Sequence, residues 1–201
     1  CGVIGFGSGI ILGSGDIAGV VGPNGTGGGS VTNGTSGDSD QTGLVGALTH
    51  DAAVLEFDFV PLGSQVTFRY VFASEEYNTY VHSSYNDVFA FYMNGVNCAT
   101  VGGDPVSINT INGGNPFGME PRENPHLYRN NDPWDGGGSI DTGMNGLTVV
   151  LTCEAAVTPN VANHAKLAIA DTADFALDSN VFLETASFVA PTRTPSPTPT
   201  P

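Results

Sequence analysis

Residues 65–73, Gln65-Val66-Thr67-Phe68-Arg69-Tyr70-Val71-Phe72-Ala73, place Val66, Phe68, Tyr70 and Phe72 on one side and Gln65, Thr67 and Arg69 on the other. A period of two is that of a strand with one face against a core. The same period runs through 53–59, where Ala53, Leu55, Phe57 and Phe59 oppose Val54, Glu56 and Asp58. In 180–189, Phe182, Glu184, Ala186 and Phe188 alternate with Val181, Leu183, Thr185 and Ser187. Residues 87–93 are nearly all apolar (Val88, Phe89, Ala90, Phe91, Tyr92), as expected of a central strand covered on both faces. Further strands are expected at 106–111, 147–152 and 164–170. Pro61-Leu62-Gly63 and Met93-Asn94-Gly95 read as hairpin turns, and no segment sustains a helical period. The fold class is therefore all-β: an antiparallel β-sandwich of jelly-roll type over residues 1–190, with long Gly/Asn-rich loops.

Composition narrows the partners. The 201 residues hold 5 Lys and Arg against 20 Asp and Glu, a formal charge of −15, while only 12% of the chain is charged. Five cations cannot make the basic footprint that displaces counterions from phosphates, which excludes nucleic acid. The same shortage excludes an anionic membrane surface. No apolar run approaches the ~20 residues of a membrane-spanning helix, and no basic, then apolar, leader opens the sequence. A 40% apolar content still supports a core. Abundant Gly, Ser, Thr and Asn with a single lysine, Lys166, suit a secreted β-protein with a polar, uncharged surface.

Residues 22–50 and 112–146 are too long to be simple connectors. The first contains two glycosylation sequons, Asn24-Gly25-Thr26 and Asn33-Gly34-Thr35, triplets that also arise by chance in an Asn/Thr-rich loop. The last eleven residues, 191–201, read PTRTPSPTPTP, an extended polyproline II tail with Thr192, Thr194, Thr198 and Thr200 as acceptors for O-linked sugar. Cys98 and Cys153 each end a strand-like run, and one way to pair the odd set of three cysteines is a disulfide between them. Cys1 is then left for a lipid, an intermolecular bridge or a free thiol.

Five blocks carry a family likeness. They are Gly9-Ile10-Ile11-Leu12-Gly13-Ser14-Gly15-Asp16 with Gly22-Pro23-Asn24; Asp51-Ala52-Ala53-Val54-Leu55-Glu56-Phe57-Asp58-Phe59-Val60-Pro61; and Phe68-Arg69-Tyr70-Val71-Phe72-Ala73-Ser74-Glu75-Glu76-Tyr77 with Tyr85-Asn86-Asp87-Val88-Phe89-Ala90-Phe91. Leu167-Ala168-Ile169-Ala170-Asp171 and Asp178-Ser179-Asn180-Val181-Phe182-Leu183-Glu184 complete them. In this order, over about 4–189, the chain resembles the bacterial choice-of-anchor L domain. The resemblance implies a secreted domain displayed on bacterial surfaces, with an attachment device that varies between members and no catalytic activity to carry over. It also implies a further strand before the Gly-rich opening. The Thr/Pro tail matches no sorting motif or terminal apolar helix, so the anchoring route stays open.

The carboxylates stand on loops at strand ends. Ser74-Glu75-Glu76 closes one strand, Asn86-Asp87 opens the next, and Asp171, Asp174 and Asp178 precede the last. In an antiparallel sandwich such ends can meet on one rim, where Ca²⁺ takes six to eight oxygen ligands at about 2.3–2.6 Å. Glu75, Glu76, Asn86, Asp87, Asp171 and Asp178 are the candidate ligands; turn capping is the competing role for the same side chains. Asp38-Ser39-Asp40 is a second, lesser cluster, in a loop.

Glu56 and Asp58 share one face of a strand, a spacing compatible with glycoside chemistry. The next position on that face is Val60, so a Glu-x-Asp-x-Glu run is incomplete, and a solvent-facing stripe, or a carboxylate paired with Arg69 across a ladder, is the preferred role. The histidines at 50, 82, 126 and 164 show no zinc spacing, and no nucleophile elbow or phosphate loop occurs. Tyr77, Tyr80, Tyr85 and Trp134 are candidate stacking or contact residues, or else they pack against the 112–146 loop.

The leading expectation is a non-enzymatic, secreted, cell-surface module that self-associates as a filament or sheath subunit, stabilised by calcium and glycosylated. A calcium-dependent carbohydrate-binding or adhesion module is the alternative, and a β-sandwich glycosidase the third reading.

Overall fold

The computed structural model describes residues 2–25 and 29–190. Cys1 and the 191–201 tail, with Thr192, Thr194, Thr198 and Thr200, lie outside the described residues. Those that are described form β1 (Gly9–Gly13), α1 (Ser39–Val45), β2 (Thr49–Phe59), β3 (Gln65–Ser74), β4 (Val88–Met93), β5 (Val96–Asn97), β6 (Thr100–Val101), β7 (Asp104–Ser107), β8 (Tyr128–Asn130), β9 (Gly146–Thr148), β10 (Leu151–Ala156), β11 (Asn163–Thr172) and β12 (Ser179–Glu184). Three short 3-10 turns complete the set.

The strands make two antiparallel sheets. One runs β1-β12-β3-β9-β8, with β10 also on β3; the other runs β2-β11-β4-β7-β6, with β5 on β4. The alternation in 65–73 sends Val66, Phe68, Tyr70 and Phe72 into the space between the sheets. There Phe68 meets Phe91 edge-on at 5.1 Å, and Tyr70 tilts against Phe89 at 5.0 Å. The other face of β3 is covered too, since Val71 and Ala73 join Phe6, Met144, Leu147 and Phe182 in a second cluster. All of β4 is buried. On its outer side, Gln41 of α1 donates to the carbonyls of Val88 and Ala168 at 3.0 and 2.7 Å.

Local departures from the sequence reading have physical causes. Pro61-Leu62-Gly63 is not a hairpin turn, because β2 and β3 belong to different sheets and the segment crosses between them. Met93-Asn94-Gly95 does fold β4 back on β5, with φ of 51° at Asn94 and 82° at Gly95, as a type I′ turn demands. The helix α1 contradicts the expectation of none. Its seven residues are too few to display a period, but its start is written in Asp38-Ser39-Asp40-Gln41, where the Asp38 side chain accepts from the Asp40 and Gln41 N–H groups.

Cys98, between β5 and β6, is disulfide-bonded to Cys153 on β10, with 5.4 Å between the Cα atoms. The bond ties one sheet to the other. It closes a sequence separation of 55 residues, so replacing both cysteines with serine is expected to lower stability by about 2–4 kcal/mol, read as a lower urea midpoint with an unchanged far-ultraviolet spectrum.

Candidate functional site at the acidic end of the sandwich

Antiparallel order places the end of β3, the start of β12, the start of β4, the end of β11 and the start of β2 together. Ser74 faces Ser179, Val88 faces Ala170, and Asp171 faces His50. Glu75, Glu76, Asp87, Asp171, Asp178 and Asp51 therefore all stand at one end of the molecule, each less than a tenth exposed.

They divide into two groups, because consecutive residues of an extended chain point to opposite sides. Glu75 looks outward onto a cavity of about 210 Å³ lined by Asp16, Gly29, Ser30, Val31, Met144, Asp178 and Asn180, among others. Both oxygens of Asp178 accept from the Val31 N–H, at 3.1 and 3.0 Å. Glu75 Oε2 and Asn180 Oδ1 are buried without a hydrogen-bond partner. The Asp178 carboxylate lies against Gly15, where a Cβ would stand 1.8 Å from Oδ2 and displace it.

Glu76 looks inward, where the charges of Asp87, Asp174 and Asp171 act on it. Asp87 is anchored by the Thr172 N–H at 2.9 Å and the Ser179 hydroxyl at 2.7 Å. Glu76 Oε2 and both oxygens of Asp171 have no partner, and the nearby Ser14 hydroxyl is engaged with Ser179. Burial, reinforced by like charges, holds Asp87 and Asp171 above the usual carboxylate range. Burial pushes Glu75 up to about 8 and Glu76 up to about 10, and it raises Asp178 as well.

No ion pair among the described residues relieves this end. Arg69 binds Glu184 at 2.6 Å and not Glu56 or Asp58, which lie on a solvent-facing stripe, the other role expected for them. Lys166 binds Asp38 and Asp40 at 2.7 and 2.6 Å, so that pair caps a helix and holds a cation's side chain in place of forming a loop metal site. His164 lies between Glu56 and Asp58, 2.8 Å from each, and their carboxylates hold it above its ordinary range.

The six candidate ligands thus do not share one site. Glu75 and Asp178 face the outer cavity, Glu76, Asp87 and Asp171 form the inner group, and Asn86 turns away to accept from the Asn109 N–H at 3.0 Å. Asp16 and Asn180 border the cavity and were not expected from the sequence; each sits beside a quoted carboxylate or strand, but without a motif of its own. Among the described residues, no three Asp, Glu, His or Cys side chains gather into a ready-made metal set.

Tyr77 is fully buried, packed against Phe72 and, at 4.9 Å, against Tyr128 of the long loop. It is a core residue and not a contact platform. Tyr80 and Tyr85 pack edge to face at 5.6 Å, and Trp134 is 76% exposed. Asn24 is also buried, its amide nitrogen donating to Asn131 O and Asn145 Oδ1 at 3.1 and 2.9 Å, which leaves no room for a sugar in the folded chain. Asn33 is exposed, and its amide donates to Ser14 O at 2.8 Å.

The blocks that build this end are those of the family likeness, and the family model of the Choice-of-anchor L domain matches residues 2–189. The chain belongs to that family. Membership makes it an extracellular, surface-associated module. No curated protein and no solved structure matches the chain. No helix among the described residues is long and apolar enough to cross a membrane.

A carboxyl whose folded pKa lies above its unfolded one holds its proton more tightly in the folded chain, so stability falls as pH rises between the two values. For this choice-of-anchor L domain the interval opens near the ordinary value of about 4 and reaches about 8 for Glu75 and about 10 for Glu76. In chelator, thermal melts should show highest stability in mild acid and a steady loss toward pH 9. Glu76→Gln should stabilise the protein by at least about 1 kcal/mol at pH 8 and have little effect at pH 5.

Proposed function

We propose that this domain is a non-catalytic module of the extracellular surface whose outer carboxylates are neutralised by calcium. The observation that carries this reading is that Glu75, Asp178 and Asn180 line one cavity, with Glu75 Oε2 and Asn180 Oδ1 buried and without a hydrogen-bond partner. Hard oxygen donors without a nearby cation are the donor set calcium takes. Two carboxylates and an amide oxygen fall short of six to eight ligands, so backbone carbonyls of the 29–31 segment and water complete the set. The inner group, buried between the sheets without a cation, is neutralised by protons.

A structural role also fits the rest of the surface. Glu56 and Asp58 are held by His164 on an exposed sheet face, an arrangement that supports a surface ion cluster over glycoside chemistry. Sugar on this module belongs on Asn33 and on the threonines of the tail.

One further observation favours self-association. An apolar cleft of about 300 Å³ opens between the edge strands β1 and β2, lined by Ile10, Leu55, Phe57 and Phe188. Ile10 is 53% exposed there. Beyond Ala52, no described residue pairs with the outer edge of β2. An unpaired edge beside an apolar cleft is a template for a strand from a second copy.

Two measurements follow. Calcium at about 100 times its Kd should add about 2.7 kcal/mol of stability, and Glu75→Gln or Asp178→Asn should abolish that gain; an unchanged melting temperature in millimolar calcium contradicts the metal reading. In sedimentation velocity the parent should show concentration-dependent association that Ile10→Asp removes, whereas a monomer at every concentration contradicts self-association.

A further inference from the structure

A concavity of about 650 Å³ is separate from the acidic end's cavity and shares no lining residue with it. Its volume falls within the ~300–1,000 Å³ of small-molecule sites. Three loop segments wall it: the chain after Tyr77, residues 113–122, and residues 125–135.

The walls are braced by carboxamides. Asn78 accepts from the Gly113 N–H at 3.1 Å and donates to Asp135 Oδ2 at 3.0 Å. Asn130 accepts from the Asp132 N–H at 3.0 Å and donates to the Asp135 carbonyl at 2.7 Å. These bonds fix the loops and leave a different set of groups facing the cleft. Asp135 Oδ1, the Glu120 carboxylate and the Arg122 guanidinium have no hydrogen-bond or ion-pair partner among the described residues, although each is a strong donor or acceptor. The Tyr128 hydroxyl makes a long contact, 3.4 Å, to Asn130 Oδ1 and lies beside the Asn78 carboxamide. Burial, with the charge of Asp135 beside it, holds that hydroxyl protonated.

A ligand for this lining must donate to two carboxylates, accept from a guanidinium and a phenol, and rest an apolar face on the Tyr128 ring and the prolines. Phosphates and nucleotides are disfavoured, because two carboxylates face one arginine. Vicinal hydroxyl groups both donate and accept, and a pyranose ring presents an apolar C–H face. The flanks supply further stacking surface: Trp134 precedes Asp135 and Phe117 follows the lining Pro116, both more than 70% exposed.

We propose that this cleft binds a neutral oligosaccharide, with Asp135, Glu120 and Arg122 as its hydrogen-bonding residues and Tyr128 as its floor. Because the cleft shares no residue with the calcium cavity, the two assignments fail independently when binding is measured in chelator.

The test is titration calorimetry of the full chain in chelator against maltotetraose, cellotetraose, chitotetraose and a tetragalacturonate. At least one neutral tetrasaccharide should bind. Arg122→Ala, at an exposed position, should weaken it about tenfold or more, as loss of a charge-assisted hydrogen bond does, with an unchanged melting curve. Asp135→Asn should weaken it as well. Binding of none of the four, binding of the acidic sugar alone, or binding indifferent to both substitutions would overturn the assignment.

Discussion

Burying carboxylates where no lysine or arginine reaches is the constraint on which this structure turns. The five cations of the chain are too few to serve twenty acids, and the folded pairs Arg69–Glu184 and Lys166–Asp38/Asp40 spend two of them on other carboxylates. What remains at that end is a set of acids between two sheets, governed by desolvation and mutual repulsion. Two neutralising agents are open to such a set, a proton or a metal ion. The outer pair, Glu75 and Asp178, lines a cavity, and in the inner group oxygens of Glu76 and Asp171 are buried without a partner.

These acids also hold the loops in place. The 29–36 segment hangs from them, with Val31 N–H on Asp178 and the Asn33 and Thr35 N–H groups on Asp51 at 2.9 and 2.5 Å. A second device, the buried Asn131, donates to the Thr142 and Met144 carbonyls and accepts from the Ile140 N–H. It joins the long 112–146 loop to the same end, through Asn24 and Asn145. The charge state of the acids is thereby coupled to the order of the surface that the module displays.

The sandwich was legible because alternation is a direct image of strand geometry, and Val66, Phe68, Tyr70 and Phe72 face the core as their spacing requires. Convergence of Glu75, Glu76, Asp87, Asp171 and Asp178 on one end was legible for the same reason, since antiparallel strands bring such ends together. The partition of those acids was not, because it depends on which sheet each strand joins, and Pro61-Leu62-Gly63 gives no sign that the chain changes sheets there. For Tyr77 the packing alternative holds, against Tyr128 of the long loop, and for Asn24 the chance reading of its sequon, but neither could be chosen from the sequence. Each belongs to a loop whose composition is that of exposed chain, yet the loop folds over itself, and burial is then set by contacts with Tyr128 and Asn131 rather than by any local pattern. The short helix α1 left only its cap in the sequence.

The most direct measurement of the central claim is the proton balance of unfolding in weakly buffered solution at pH 7 with chelator present. Carboxyls held neutral in the folded chain ionise when exposed, so the account predicts release of at least one proton per molecule on unfolding. No release, or net uptake, would contradict it.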